Sequence, residues 1–186
     1  MYPLIDPQTA TGAARDLLGS TLKQLGRVPN LYRAMANSPI ALGAYLEFRA
    51  ALQGCSLDIA MRERIALLTA QLNDCDYCVA AHNFRGSKIG LSADDLANTR
   101  MSHSDSPKIY VALVFVTELI ESKGAVAVST HDALLQAGWT VSEIGEMVAH
   151  VALNVFSNYF KQIANPALDF PAAPALGGVA APVAHV

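Results

Sequence analysis

The chain has 186 residues, with 13 lysines and arginines against 16 aspartates and glutamates, for a formal charge of −3 with histidines neutral. Apolar residues make up 52% and charged residues 16%, with a mean hydropathy of +0.28; this excludes a disordered chain and points to one domain with buried contacts between subunits, a homo-oligomer. The mild acidity excludes a nucleic-acid partner gripped through its phosphates, and no apolar run is long enough to span a membrane.

The punctuation along the chain is that of helices. Thr11 can cap a first segment that runs to Gly26, and Asn30 opens a short one ending near Asn37. Ser38-Pro39 places a cap before a proline at the first helical position, opening a segment that stops near Gly54. Ser56 begins the next, with Ile59, Ile65, Leu68 and Leu72 on one side. Asn73-Asp74 marks a break, with Asp74 as the cap of a helix that restarts at Cys75 and continues to Gly90.

Ser92-Ala93-Asp94-Asp95 resembles a capping box, Ser106-Pro107 opens a segment reaching Lys123-Gly124, and Ser129 starts one closed by Gly138. Thr140-Val141-Ser142-Glu143 is a full capping box for a long helix to about Asn165. Period-two alternation is nearly absent, so the expected class is all-α, a single domain over residues 1–165. Residues 166–186 are rich in Pro, Ala and Gly and are expected to form a loose end or an arm lying on a neighbour.

Three cysteines make a poor disulfide scaffold, and two of them stand as Cys75-Asp76-Tyr77-Cys78. The start Met1-Tyr2-Pro3-Leu4-Ile5-Asp6 lacks the basic and apolar regions of a secretory signal, so a cytoplasmic location is expected. In that compartment a CxxC reads as redox or metal chemistry. On a helix, Cys75, Cys78 and His82 fall within about 60° of one another, on one face of two turns. Cysteines three apart on a helix can cycle between dithiol and disulfide without unfolding it. The helix N-terminus favours thiolate, and His82 can accept or return a proton.

Glu63 lies in the preceding helix on an otherwise apolar stripe. In a hairpin about residues 73–74, its depth and that of His82 differ by about one turn, so Glu63 can orient His82. Two other readings stay open: inert buried cysteines, and a zinc site of Cys75, Cys78 and His82 with Glu63 or water. Of the remaining residues, Cys55 reads as a small buried hydrophobe, His131 as a surface residue and His150 as a core or interface histidine. Trp139 reads as the cover of a helix junction. Phe156, Tyr159 and Phe160 read as core or subunit packing ahead of a substrate wall, and Arg85 as a solvated arginine ahead of a substrate-recognition residue.

Glu63, Cys75, Cys78 and His82 compose the pattern E-x11-C-x2-C-x3-H, which resembles the alkylhydroperoxidase D-like, peroxidase-related branch of the carboxymuconolactone decarboxylase superfamily. Arg62-Glu63-Arg64-Ile65-Ala66, Gly54 through Leu57 and Asn154 through Phe160 carry the likeness further, over about residues 28 to 165. The resemblance implies an all-helical fold assembled as trimers or hexamers and thiol-dependent reduction of a hydroperoxide; the expected activity is hydroperoxide or disulfide reduction through Cys75 and Cys78, without a cofactor or metal. The resemblance makes His82 and Glu63 a proton relay acting on both cysteines. The helix dipole favours Cys75 as the attacking thiol and adjacency to His82 favours Cys78; the reading taken is Cys78 attacking with Cys75 resolving. The partners would be a hydroperoxide substrate and an external dithiol donor, thioredoxin-like or lipoyl-bearing. Lactone decarboxylation without redox use of the cysteines, or a non-catalytic oligomer, is the alternative.

Overall fold

A computed structural model describes residues 2–176. Among the described residues there are nine α-helices and no strand: α1 (Gly12–Leu25), α2 (Asn30–Met35), α3 (Pro39–Ala51), α4 (Ile59–Leu72), α5 (Asp76–Lys88), α6 (Ala93–Arg100), α7 (Pro107–Glu121), α8 (Val128–Gln136) and α9 (Val141–Ala164). The expected all-α class holds, and no helix among them is long and apolar enough to cross a membrane.

Most boundaries follow the capping chemistry. Gly26 ends α1 in the left-handed conformation (φ 68°), returning its N–H to the Leu22 carbonyl. The Ser38 side chain caps α3, with Pro39 at the first position. Both capping boxes form, Ser92 with Asp95 and Thr140 with Glu143. The start of α4 differs from expectation. Asp58, not Ser56, caps it by accepting from the Met61 N–H at 2.7 Å. The Ser56 N–H is drawn instead to Glu146 on α9, at 2.9 Å.

Helix α4 is the axis of the fold, packed by α5, α6, α7 and α9. Its second half, Arg64 to Ala70, is buried on every side, which is why the apolar residues there do not keep to one stripe. Leu67 and Leu68 face opposite clusters and are fully buried, each worth about 1.5–3 kcal/mol of transfer free energy. Leu67 joins α1, α2, α3 and the start of α5; Leu68 joins α7, α8, Trp139 and the first half of α9. Arg64 is carried into this interior and answered by Asp95 of α6 at 2.8 Å. Trp139 sits at a helix junction as expected, its indole N–H donating to the Lys108 carbonyl at 2.9 Å.

The chain after α9 is neither loose nor extended away. Asn165 ends the helix in the left-handed conformation (φ 44°), and the following segment folds back over α1, α2 and α5. Asp169 takes a salt bridge from Arg27 and a hydrogen bond from the Asn30 N–H, and Phe170 joins the core cluster. Arg100 donates to the Pro174 carbonyl at 2.6 Å. The expectation of a loose end or intermolecular arm therefore fails for residues 166–176; residues 177–186 lie outside the described residues.

Candidate functional site

The break between α4 and α5 sets the site. Asn73 closes α4 and Asp74 adopts a left-handed conformation (φ 50°), after which the Cys75 N–H returns to the Ala70 carbonyl at 2.9 Å. Cys75 itself is then the N-cap of α5, and Cys78 is the third residue of the helix. This shifts the expected register by one, because Asp74 is spent on the left-handed link and does not cap. Helix α9 holds the corner in place. Asn158 accepts from Asn73 at 3.0 Å, Gln162 donates to the Asp74 carbonyl at 3.0 Å, and Lys161 pairs with Asp76. The Lys161 hydrogen bond keeps the Asp76 carboxyl below the usual range despite some burial.

Cys75 and Cys78 are joined by a disulfide with their Cα atoms 5.2 Å apart, as the i, i+3 spacing allows. Both are buried. They lie on the first turn of α5, where backbone N–H groups lack intrahelical partners and the helix dipole is positive. One turn further, His82 Nδ1 is 2.7 Å from Glu63 Oε2. The hairpin of α4 and α5 thus brings together all four residues singled out from the sequence. Burial would raise the Glu63 carboxyl. The facing His82 ring, with Arg85 and Arg49 beyond it, outweighs that and holds it below the usual carboxylate range.

Two adjoining spaces open on this hairpin. A recess of about 20 Å³ is walled by Cys78, His82, Tyr77, Tyr32 and Phe170, among others. A cavity of about 140 Å³ lies beside it, lined by Glu63, His82, Arg49, Arg62 and His150, among others. Tyr45, His82 and Arg85 line both, so the recess at Cys78 and the larger cavity share a wall.

Several residues at the site were not singled out as functional from the sequence. His150 is buried as expected but also lines the cavity, with Nε2 3.4 Å from the Cys55 sulfur. Burial, then the Arg62 charge, push its pKa down. Cys55 is half-buried beside that ring, so it is not the sequestered hydrophobe expected. Arg85 lies between the two spaces with Phe170 at 5.8 Å, and is not freely solvated. Phe156 and Tyr159 are exposed, whereas Phe160 packs on the core. The link between Tyr77 and the tail was missed altogether. The Tyr77 hydroxyl donates to Asp169 Oδ1 at 2.5 Å, and Phe170 meets the Tyr77 ring edge-on at 5.6 Å. Burial and that hydrogen bond push the Tyr77 phenol well above its ordinary range. A signal existed: Asp169 is the only carboxylate side chain in 166–186, and Phe170 the only Phe, Tyr or Trp there.

The site is thus a CxxC at the head of one helix and, one turn on, a histidine hydrogen-bonded to a glutamate of the helix before. Residues 39–117 match the model of the Carboxymuconolactone decarboxylase family. No curated protein matches the sequence. Among solved structures, the chain is similar to an alkylhydroperoxidase D core, an uncharacterized peroxidase-related protein from Ralstonia eutropha JMP134. The identity is 24%, with 90% of this chain and 91% of that chain covered at a TM-score of 0.79. An uncharacterized peroxidase-related protein from Silicibacter sp. TM1040 is similar at 20% identity, covering 89% and 88%, with a TM-score of 0.74. A cysteine-to-alanine variant of the debrominase Bmp8, in complex with 2,3,4-tribromopyrrole, is similar at 14% identity, covering 91% of each chain, with a TM-score of 0.77. At these identities the likeness establishes the fold.

Proposed function

We propose that the protein is an enzyme that reduces small hydroperoxides through Cys75 and Cys78. The observation that carries this reading is the shared recess: Cys78 and His82 wall one space, Cys75 is within bonding reach of Cys78, and Glu63 engages His82 from behind. In the dithiol form the Cys78 thiolate attacks the peroxide oxygen, the O–O bond breaks, and Cys78 becomes a sulfenic acid. The departing alkoxide takes a proton from His82 and leaves as alcohol. The Cys75 thiol then condenses with the sulfenic acid, forming the disulfide and releasing water. An external dithiol, thioredoxin-like or lipoyl-bearing, reduces that disulfide and is itself oxidised.

Glu63, hydrogen-bonded to Nδ1, fixes the ring and leaves Nε2 as the nitrogen for proton traffic. Cys78 is assigned the attack because it lines the recess, whereas Cys75, fully buried, does not. A zinc reading is weaker, because the two sulfurs are bonded to each other. The test is steady-state turnover of cumene hydroperoxide with dithiothreitol. Cys75→Ser and Cys78→Ser should each abolish it, with a trapped sulfenic acid only in Cys75→Ser. Turnover retained in either variant refutes the paired mechanism.

The debrominase neighbour supports a second use of the same pair. Two thiols can deliver two electrons to an aryl carbon–bromine bond, giving the arene, bromide, a proton and the disulfide. Bromide release from a bromopyrrole, faster than hydroperoxide turnover, would favour that reading.

A homo-oligomer is supported by the outer face of α9. Val148, Ala152, Phe156, Tyr159 and Ile163 are all exposed there at helical spacing. A sedimentation mass equal to one chain would refute it.

A further inference from the structure

We infer that the cavity beside Cys78 is a carboxylate site, and that the substrate is a small hydroperoxide carrying a carboxylate at the end away from its peroxide group. This rests on the peroxidase reading for the reactive end of the molecule. The charge balance of the walls carries the rest.

Arg49, Arg62 and Arg85 all line the cavity. None of them forms a salt bridge with a carboxylate among the described residues, where every other ion pair is accounted for. The Arg62 Nε is buried with no hydrogen-bond partner among those residues. A buried guanidinium N–H without an acceptor is costly, and a ligand oxygen supplies one. Glu63 is the only carboxylate lining the cavity, and it already faces His82. His150 adds no negative charge; burial and the nearby Arg62 hold it toward its neutral form. The cavity therefore holds three guanidiniums against one committed carboxylate, an excess of at least two positive charges.

Position and size narrow the ligand. Tyr45, His82 and Arg85 belong both to this cavity and to the recess at Cys78. A hydroperoxide with its O–O bond in the recess thus projects its remaining atoms into the cavity, toward Arg49 and Arg62. The volume of about 140 Å³ is close to that of a cavity that takes up benzene, about 150 Å³. The ligand is accordingly a short or single-ring acid, not a long-chain lipid. Ile59 and Leu153 provide the apolar wall such a body needs, while planar guanidiniums suit carboxylate geometry.

The test uses the full-length protein in its disulfide form, in which the CxxC carries out no thiol chemistry, with benzoate and benzamide as probes in titration calorimetry. Benzoate should bind about ten-fold or more tighter than benzamide, the order expected for hydrogen bonds to a charged group. Added salt should weaken benzoate and leave benzamide unchanged. Arg49→Gln and Arg62→Gln should each close most of the gap by weakening benzoate alone. Equal affinities in the wild-type protein, or a preference that survives the double substitution, would overturn the carboxylate site. Because the disulfide form is used, that outcome is independent of the peroxidase reading, which stands or falls on thiol oxidation by a hydroperoxide.

Discussion

The Tyr77 hydroxyl, inside the CxxC, donates to Asp169 at 2.5 Å across 92 residues of sequence. The same carboxylate pairs with Arg27 and caps the Asn30 N–H, so one side chain ties the tail to the link between α1 and α2, to the start of α2 and to the first turn of α5. Phe170 completes the tie by walling the recess at Cys78. Since Cys75 and Cys78 are both buried, a reagent such as dithiothreitol should reach their disulfide only if this cover yields.

Asp169→Asn and Phe170→Ala should therefore speed reduction of the disulfide by dithiothreitol, measured by free-thiol release under native conditions. Asp169→Asn should also lower stability by about 1–3 kcal/mol, because a buried hydroxyl and a guanidinium lose their charged acceptor. An unchanged reduction rate in both variants would show that the tail does not limit access.

Glu63→Gln keeps the shape of the side chain and removes the charge that orients His82. Turnover should fall by about a hundred-fold, in line with the usual size of acid–base contributions, with the helical content intact. The partnership with His82 holds the Glu63 carboxyl below the usual range, so the wild-type pair persists well into mild acid and is lost only as pH falls through that lowered value. A Gln variant with wild-type rates from about pH 6 to 9 would remove Glu63 from the relay.

The parts of this molecule that were legible in the sequence are those decided by local chemistry. The capping boxes at Ser92 and Thr140, the Ser38-Pro39 start and the stop at Gly26 each depend on side chains a few residues apart. The meeting of Glu63 and His82 was legible for a related reason: a helical hairpin with a short break fixes the depth of both residues by rise alone. What escaped depends on long-range packing. Nothing local marks Ser56 as a partner of Glu146 instead of a cap, and Asp74 could serve equally as a cap or a left-handed link. The tail's composition argued against packing, yet one aspartate and one phenylalanine anchor it. Arg49, Arg62 and His150 gather at one cavity from three helices, and no spacing in the chain foretells that.

His150 should make the fold sensitive to mild acid. Burial and Arg62 depress its folded pKa below the ordinary value of about 6.5. Above that pH the ring is neutral in both states. As pH falls below it, the unfolded chain takes up a proton that the folded chain resists, and stability declines until the folded pKa is passed. Urea unfolding should thus show wild-type stability dropping as pH falls below about 6.5, with a shallower drop in His150→Asn. Parallel curves for the two proteins would contradict this role of His150.

The most direct measurement is the number of free thiols per chain before and after one equivalent of an organic hydroperoxide. The fully reduced protein has Cys55, Cys75 and Cys78 free. The paired mechanism predicts the loss of two thiols per equivalent, both from the CxxC, with one equivalent of alcohol formed and Cys55 still reactive. Thiols that survive the hydroperoxide unchanged, or a loss confined to Cys55, would contradict it.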